Sequence, residues 1–155
     1  MSSPVEVSRT TFRIILVALL VISGAFAAWS WLRPYEWSAD AKADCVITGA
    51  QLVHDHSYYW LNLQLVVSDG QQHDLQKPIR LVLSDGRKLQ AADTTLEGNE
   101  QKNIRKIWLK FWLHERDLTG PLHLQVNEGT LSVRSGRGIP KLRPDGSRYF
   151  VTHRW

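Results

Sequence analysis

Tyr58-Tyr59-Trp60-Leu61-Asn62-Leu63-Gln64-Leu65-Val66-Val67 is the stretch on which the fold of this chain turns. Tyr59, Leu61, Leu63, Leu65 and Val67 fall on one side of an extended backbone, while Asn62 and Gln64 fall on the other. Successive side chains of a strand point to opposite faces, so this period of two predicts a half-buried β-strand. Ile104 to Leu113 repeats the pattern, with Ile107, Leu109, Phe111 and Leu113 on one face and Lys106, Trp108, Lys110 and Trp112 on the other. Its aromatic and β-branched content and the lack of a capping residue favour a strand over a helix.

Shorter runs extend the pattern outward. Ile79 to Leu83 and Arg87 to Ala91 flank Ser84-Asp85-Gly86-Arg87, and an Asp-Gly pair between β-like runs predicts a hairpin because both residues tolerate positive φ. Further strands are expected at Cys45 to Val53, at Leu122 to Val126 after Gly120-Pro121, at Thr130 to Arg134 after Asn127-Glu128-Gly129, and at Tyr149 to Trp155. About seven or eight short strands with frequent turn signals predict a mainly β chain, with an antiparallel immunoglobulin-like β-sandwich over residues 44–155. The runs IRLVLSDGRKL, IWLKFWL and GPLHLQV, within residues 79–126, resemble in strand order the telokin-like, immunoglobulin-type domains that stand behind a membrane or lipid anchor in bacterial envelope proteins. The resemblance implies a fold and an envelope setting, and it carries no functional residue across.

Ahead of these strands lies IILVALLVISGAFAAWSWL, Ile14 to Leu32, without a charge. As a helix it spans about 28 Å, close to the thickness of a bilayer core, and predicts a single transmembrane helix over residues 14–32. Arg9 and Arg13 precede it and only Arg33 follows directly, so the positive-inside rule places residues 1–13 in the cytoplasm and the β domain on the periplasmic or extracellular side. Trp29, Trp31, Tyr35 and Trp37 cluster at the outer end, as rings do at the headgroup level of a retained signal anchor. The competing reading is a signal peptide whose Ala25-Phe26-Ala27 allows cleavage between Ala27 and Ala28 and release of a secreted domain. Both readings export the domain. Residues 33–43, with Pro34, mixed charges and several alanines, read as a juxtamembrane linker.

Composition narrows the function. After the apolar segment, the 155-residue chain has room for one domain of roughly 120 residues with a real core. A formal charge of +4 is far from the dense Lys/Arg character of nucleic-acid binders, and no nucleic-acid partner is expected. With Cys45 as its one cysteine, the chain has no internal disulfide, and the apolar core must hold the domain. Ala41-Lys42-Ala43-Asp44 before Cys45 is not a lipidation box, so Cys45 reads as a small buried hydrophobe at the start of a strand, with an intermolecular disulfide as the alternative.

No catalytic residue and no cofactor are indicated. The chain lacks a Gly-x-Ser-x-Gly elbow, and the glycine-rich Ser135-Gly136-Arg137-Gly138 leads into Ile139-Pro140 instead of opening a helix. His54 and His56, two residues apart, would share a side of an extended strand and are the metal-ligand candidates, although a third ligand would have to come from the fold. Two surfaces suggest contact. Trp108 and Trp112, interleaved with Lys106 and Lys110 and joined by Tyr58 and Trp60 if the strands are neighbours, suit a sugar ring, a lipid interface or a protein. The alternative is that the apolar stretch Tyr149 to Trp155 covers those rings. The basic tail of Arg134, Arg137, Lys141, Arg143, Arg148 and Arg154, opposed only by Asp145, suits anionic headgroups, cell-wall polymers or an acidic protein. The combined expectation is a non-catalytic, membrane-anchored accessory module with a protein partner in the envelope. The alternatives are a carbohydrate- or metal-binding domain, or a secreted one.

Overall fold

The computed structural model describes residues 9–32, 37, 39–71, 73, 76–98 and 103–155, with the backbone alone for residues 30–32. The chain forms two compact units, Met1–Pro34 and Tyr35–Trp155. The first contains α1, Arg9–Leu32, which begins five residues before the charge-free stretch because Arg9-Thr10-Thr11-Phe12-Arg13 holds no glycine or proline to break the helix. Arg9 to Trp29 is exposed throughout, and this segment is long and apolar enough to cross a membrane.

The second unit is mainly β. Its strands are β1 (Cys45–Asp55), β2 (Tyr58–Val67), β3 (Arg80–Val82), β4 (Lys88–Gln90), β5 (Asp93–Gly98), β6 (Ile104–His114), β7 (Leu122–Val126), β8 (Gly129–Arg134) and β9 (Ser147–Phe150). They form two antiparallel sheets, ordered β5-β6-β2-β1-β9 and β4-β3-β7-β8. A two-residue turn at His56-Ser57, with His56 at φ 55°, folds β1 back onto β2. The register then sets Leu61 against Phe111, Leu63 against Leu109 and Leu65 against Ile107, so the two long alternations run in phase and bury one apolar set together. Leu81, Leu122, Leu124, Val126, Leu131 and Val133 of the second sheet belong to the same buried cluster. At about 1.5–3 kcal/mol per fully buried large apolar side chain, this shared core supplies the stability that no disulfide provides.

Local chemistry fixes the connections. Gly86 takes φ 86° in the β3–β4 turn, where Leu83 N–H donates to the Arg87 carbonyl at 2.9 Å. The Arg87 guanidinium bonds Asp85 and also the buried Asp117, whose second oxygen accepts the His114 N–H at 2.9 Å. The hairpin is thereby tied to the short 3-10 turn Glu115–Leu118 that follows β6.

Three departures from the sequence reading have clear causes. β5 has no apolar alternation and is exposed along its length; it is a strand because the outer edge of β6 is long enough to pair it, and Asp93 and Glu97 suit an edge. Trp37 and Ala43, read above as linker, are buried in the core, so Trp37 is not part of an aromatic belt. Asp40 bonds the backbone of Lys42 and Thr130, and Gly129 leaves no space for a Cβ against Ala43, which seats residues 40–43 on β8. The Trp31 side chain, Tyr35 and residues 1–8 of the expected cytoplasmic tail lie outside the described residues. Finally, β9 stops at Phe150 because the chain then turns to stack Trp155 on the Phe150 ring, with centroids 4.3 Å apart.

Candidate functional site

The outer face of the five-stranded sheet is built from the half of each alternation that the core does not use. Pairing of β2 with β6 sets Trp60 opposite Trp112, Asn62 opposite Lys110 and Gln64 opposite Trp108. Pairing of β1 with β2 adds Val53 beside Trp60 and Gln51 beside Asn62. β9 contributes Tyr149 opposite Gln51, and β5 contributes Asp93 opposite Lys110. A polar row of Tyr149, Gln51, Asn62, Lys110 and Asp93 therefore crosses all five strands, about 19 Å from end to end at the usual strand spacing. Trp60 and Trp112 border it on one side and Trp108 on the other.

Tyr58, Trp60, Lys106, Trp108, Lys110 and Trp112, the six residues singled out from the sequence, all lie on this face. Tyr58, Trp112 and His114 form a compact aromatic group with centroid separations of 4.7, 5.4 and 5.1 Å. Trp112 is 45% exposed, Tyr58 39% and Tyr149 74%. The lysines lie against their own tryptophans: Lys110 Nζ stands 4.3 Å from the Trp60 ring centre and Lys106 Nζ 5.7 Å from that of Trp108. Trp60 Nε1 donates to Asp55 at 3.1 Å, and Asn62 Nδ2 donates to Gln51 Oε1 at 3.2 Å. The apolar C-terminal stretch does not cover these rings. Trp155 reaches Val133 and Arg134 of β8 instead, where its indole N–H donates to the Val133 carbonyl at 3.1 Å.

His54 and His56 do not come together. His54 is still in β1, with its ring stacked on Tyr59 at 4.5 Å, whereas His56 sits in the turn and faces solvent. The intervening change of backbone direction cancels the two-residue periodicity on which their pairing depends. His56 is grouped instead with Asp55 and Asp145, and all three are exposed. Its Nδ1 lies 2.9 Å from Asp55, and that hydrogen bond together with the charge of Asp145 raises the His56 pKa. The same contact, with the bond from Trp60, holds the Asp55 carboxyl below its ordinary value.

The basic tail divides in two. Arg134 is 2% exposed and is not a surface cation. Its guanidinium donates to the carbonyls of Leu118 and Gly138 and, through Nε, to that of Trp155 at 2.8 Å, while its plane lies over the Trp155 ring. The backbone carbonyls of the returning chain satisfy the buried charge, and desolvation lowers its pKa. Arg137, Lys141, Arg143, Arg148 and Arg154 remain exposed. Cys45 is buried, and desolvation pushes its thiol up to about 12, which leaves it unreactive.

Gln51, Tyr149 and Asp93 are members of the face that sequence reasoning missed. Asn62 was legible as a polar-face residue, but only the pairings of β1 with β9 and of β5 with β6 assemble the row. Compared with family models, with curated proteins and with solved structures, the chain matches none.

Proposed function

We propose that this protein is a single-pass, non-catalytic binding module of the cell envelope, with an immunoglobulin-like β-sandwich held at the membrane by α1. In this reading the N-terminus is cytoplasmic and the β unit periplasmic or extracellular. The observation that carries it is the outer face of the five-stranded sheet. Tyr58, Trp112 and Tyr149 are exposed there and Trp60 and Trp108 half-buried, although β2 and β6 bury every large apolar residue of their other side from Ile107 to Leu113 and from Tyr59 to Val67. Open aromatic area of this kind is a contact surface more often than a structural need. Its side chains spread across all five strands of the sheet, which suits binding more than the convergent polar groups of a catalytic pocket. The immunoglobulin-like assignment is supported by two antiparallel sheets sharing one core, and the anchor by the length and apolar character of α1. A tether would raise the effective concentration of the face for neighbouring envelope components.

Fractionation of the native protein with intact-mass analysis tests the reading. The expected result is full-length chain that resists salt and alkaline extraction, with the β unit open to protease added to spheroplasts. A soluble product beginning at Ala28 would replace the anchored module with a secreted one.

A further inference from the structure

The outer face carries a narrower inference, which rests on its being the contact surface. We propose that its occupant is a neutral glycan, lying across the strands along the polar row and stacking on the tryptophan and tyrosine rings beside it. A pyranose ring has an apolar C–H face and a rim of hydroxyls, so it needs flat aromatic surface next to paired donors and acceptors. Both are present. Asn62 Nδ2 is bonded to Gln51 Oε1, which leaves Gln51 Nε2 as a donor and Asn62 Oδ1 as an acceptor side by side, the pattern that two adjacent hydroxyls complete. Trp112 and Tyr149 expose rings toward opposite ends of this amide pair.

Charge excludes the other occupants. Lys106 pairs with Glu97 at 3.2 Å, and Lys110 lies over the Trp60 ring at 4.3 Å with Asp93 opposite it in the register, so the two cations of the face are held by groups of the face itself. An anionic polymer or lipid headgroup would be drawn instead to the segment after β8. There Arg137, Lys141, Arg143, Arg148 and Arg154 form no ion pair among the described residues, and their excess over Asp145 matches the +4 of the whole chain. A protein interface has an apolar centre and a polar rim; here the polar row is central and the rings border it.

The test is tryptophan fluorescence of the full-length, detergent-solubilised protein titrated with cellohexaose and with chitohexaose, using polygalacturonate as the anionic control. The proposal expects a saturable change with a neutral oligosaccharide and not with the control. Affinity should fall about tenfold or more in Trp112→Ala, and also in Asn62→Ala, with the melting temperature held. Tyr149→Ala, at an exposed edge position, serves in place of Trp112→Ala should that variant unfold. No saturable response to either oligosaccharide, or binding unaffected by all three substitutions, overturns the glycan. A diazirine residue in place of Gln64, on the same face opposite Trp108, that crosslinks in intact cells to a protein while both oligosaccharides fail would overturn the glycan and leave the contact face standing. Absence of any adduct would sink both.

Discussion

Phe111 and Trp112 are adjacent residues of β6 with opposite fates. Phe111 is fully buried against the core, and Trp112 is 45% exposed on a face shared with Tyr58, Trp60 and Lys110. Both are large aromatics, so hydrophobicity alone does not separate them; the strand's period of two does. The inner face answers the demand for stability. The outer face is left for chemistry that stability does not explain, and it is there that rings and paired amides converge.

The largest test of this contrast is Phe111→Ala, which should cost about 3–5 kcal/mol in urea unfolding, as expected for a fully buried ring. Trp112→Ala should cost about 1 kcal/mol or less, the scale of a cross-strand pair. Equal losses would erase the distinction between the faces. The polar residues that lie inside sharpen it. Arg134→Met removes the donors held by the Leu118, Gly138 and Trp155 carbonyls, and should lower stability by about 2–3 kcal/mol while making residues 135–155 more sensitive to protease. Arg137→Met, on the same segment but exposed, should change stability by less than about 0.5 kcal/mol. Asp117→Asn, which weakens the link to Arg87, should cost about 2 kcal/mol by the same unfolding measurement.

The smallest expected effect lies in the β1–β2 turn. His56 has its pKa raised by Asp55 and Asp145, so its contribution is fully present below the ordinary value of 6.5 and is lost as pH rises through the raised one. The depressed Asp55 carboxyl acts in the opposite sense, contributing above its ordinary value and losing that contribution as pH falls through the lowered one. His56→Gln should flatten the upper limb of a plot of melting temperature against pH. An unaltered profile would show that the turn contact is absent in solution.

Much of the fold was legible because its longest strands alternate: β2 begins and ends where the periodicity of Tyr58 to Val67 places it, and Ser84-Asp85-Gly86-Arg87 marks the β3–β4 hairpin. What escaped depends on partners distant in the chain. Nothing in Asp93 to Gly98 announces β5, which exists because β6 offers it an edge. Arg134 read as a member of a basic tail because charge is visible in sequence and burial is not; only the return of Trp155 supplies its carbonyl partners. The His54 and His56 pairing failed at a turn that falls between them. For the candidate face, the strand period gave the aromatic and lysine members, whereas Gln51, Tyr149 and Asp93 needed the sheet order.

The most direct measurement of the central claim places a diazirine amino acid at Gln64 of the outer face, which leaves Trp112, Asn62 and Tyr149 in place, and separately at Lys88, exposed on β4 of the other sheet, and irradiates intact cells. A discrete mass-shifted adduct is expected from position 64 and none from position 88. Equal labelling at the two positions, or none at position 64, would contradict it.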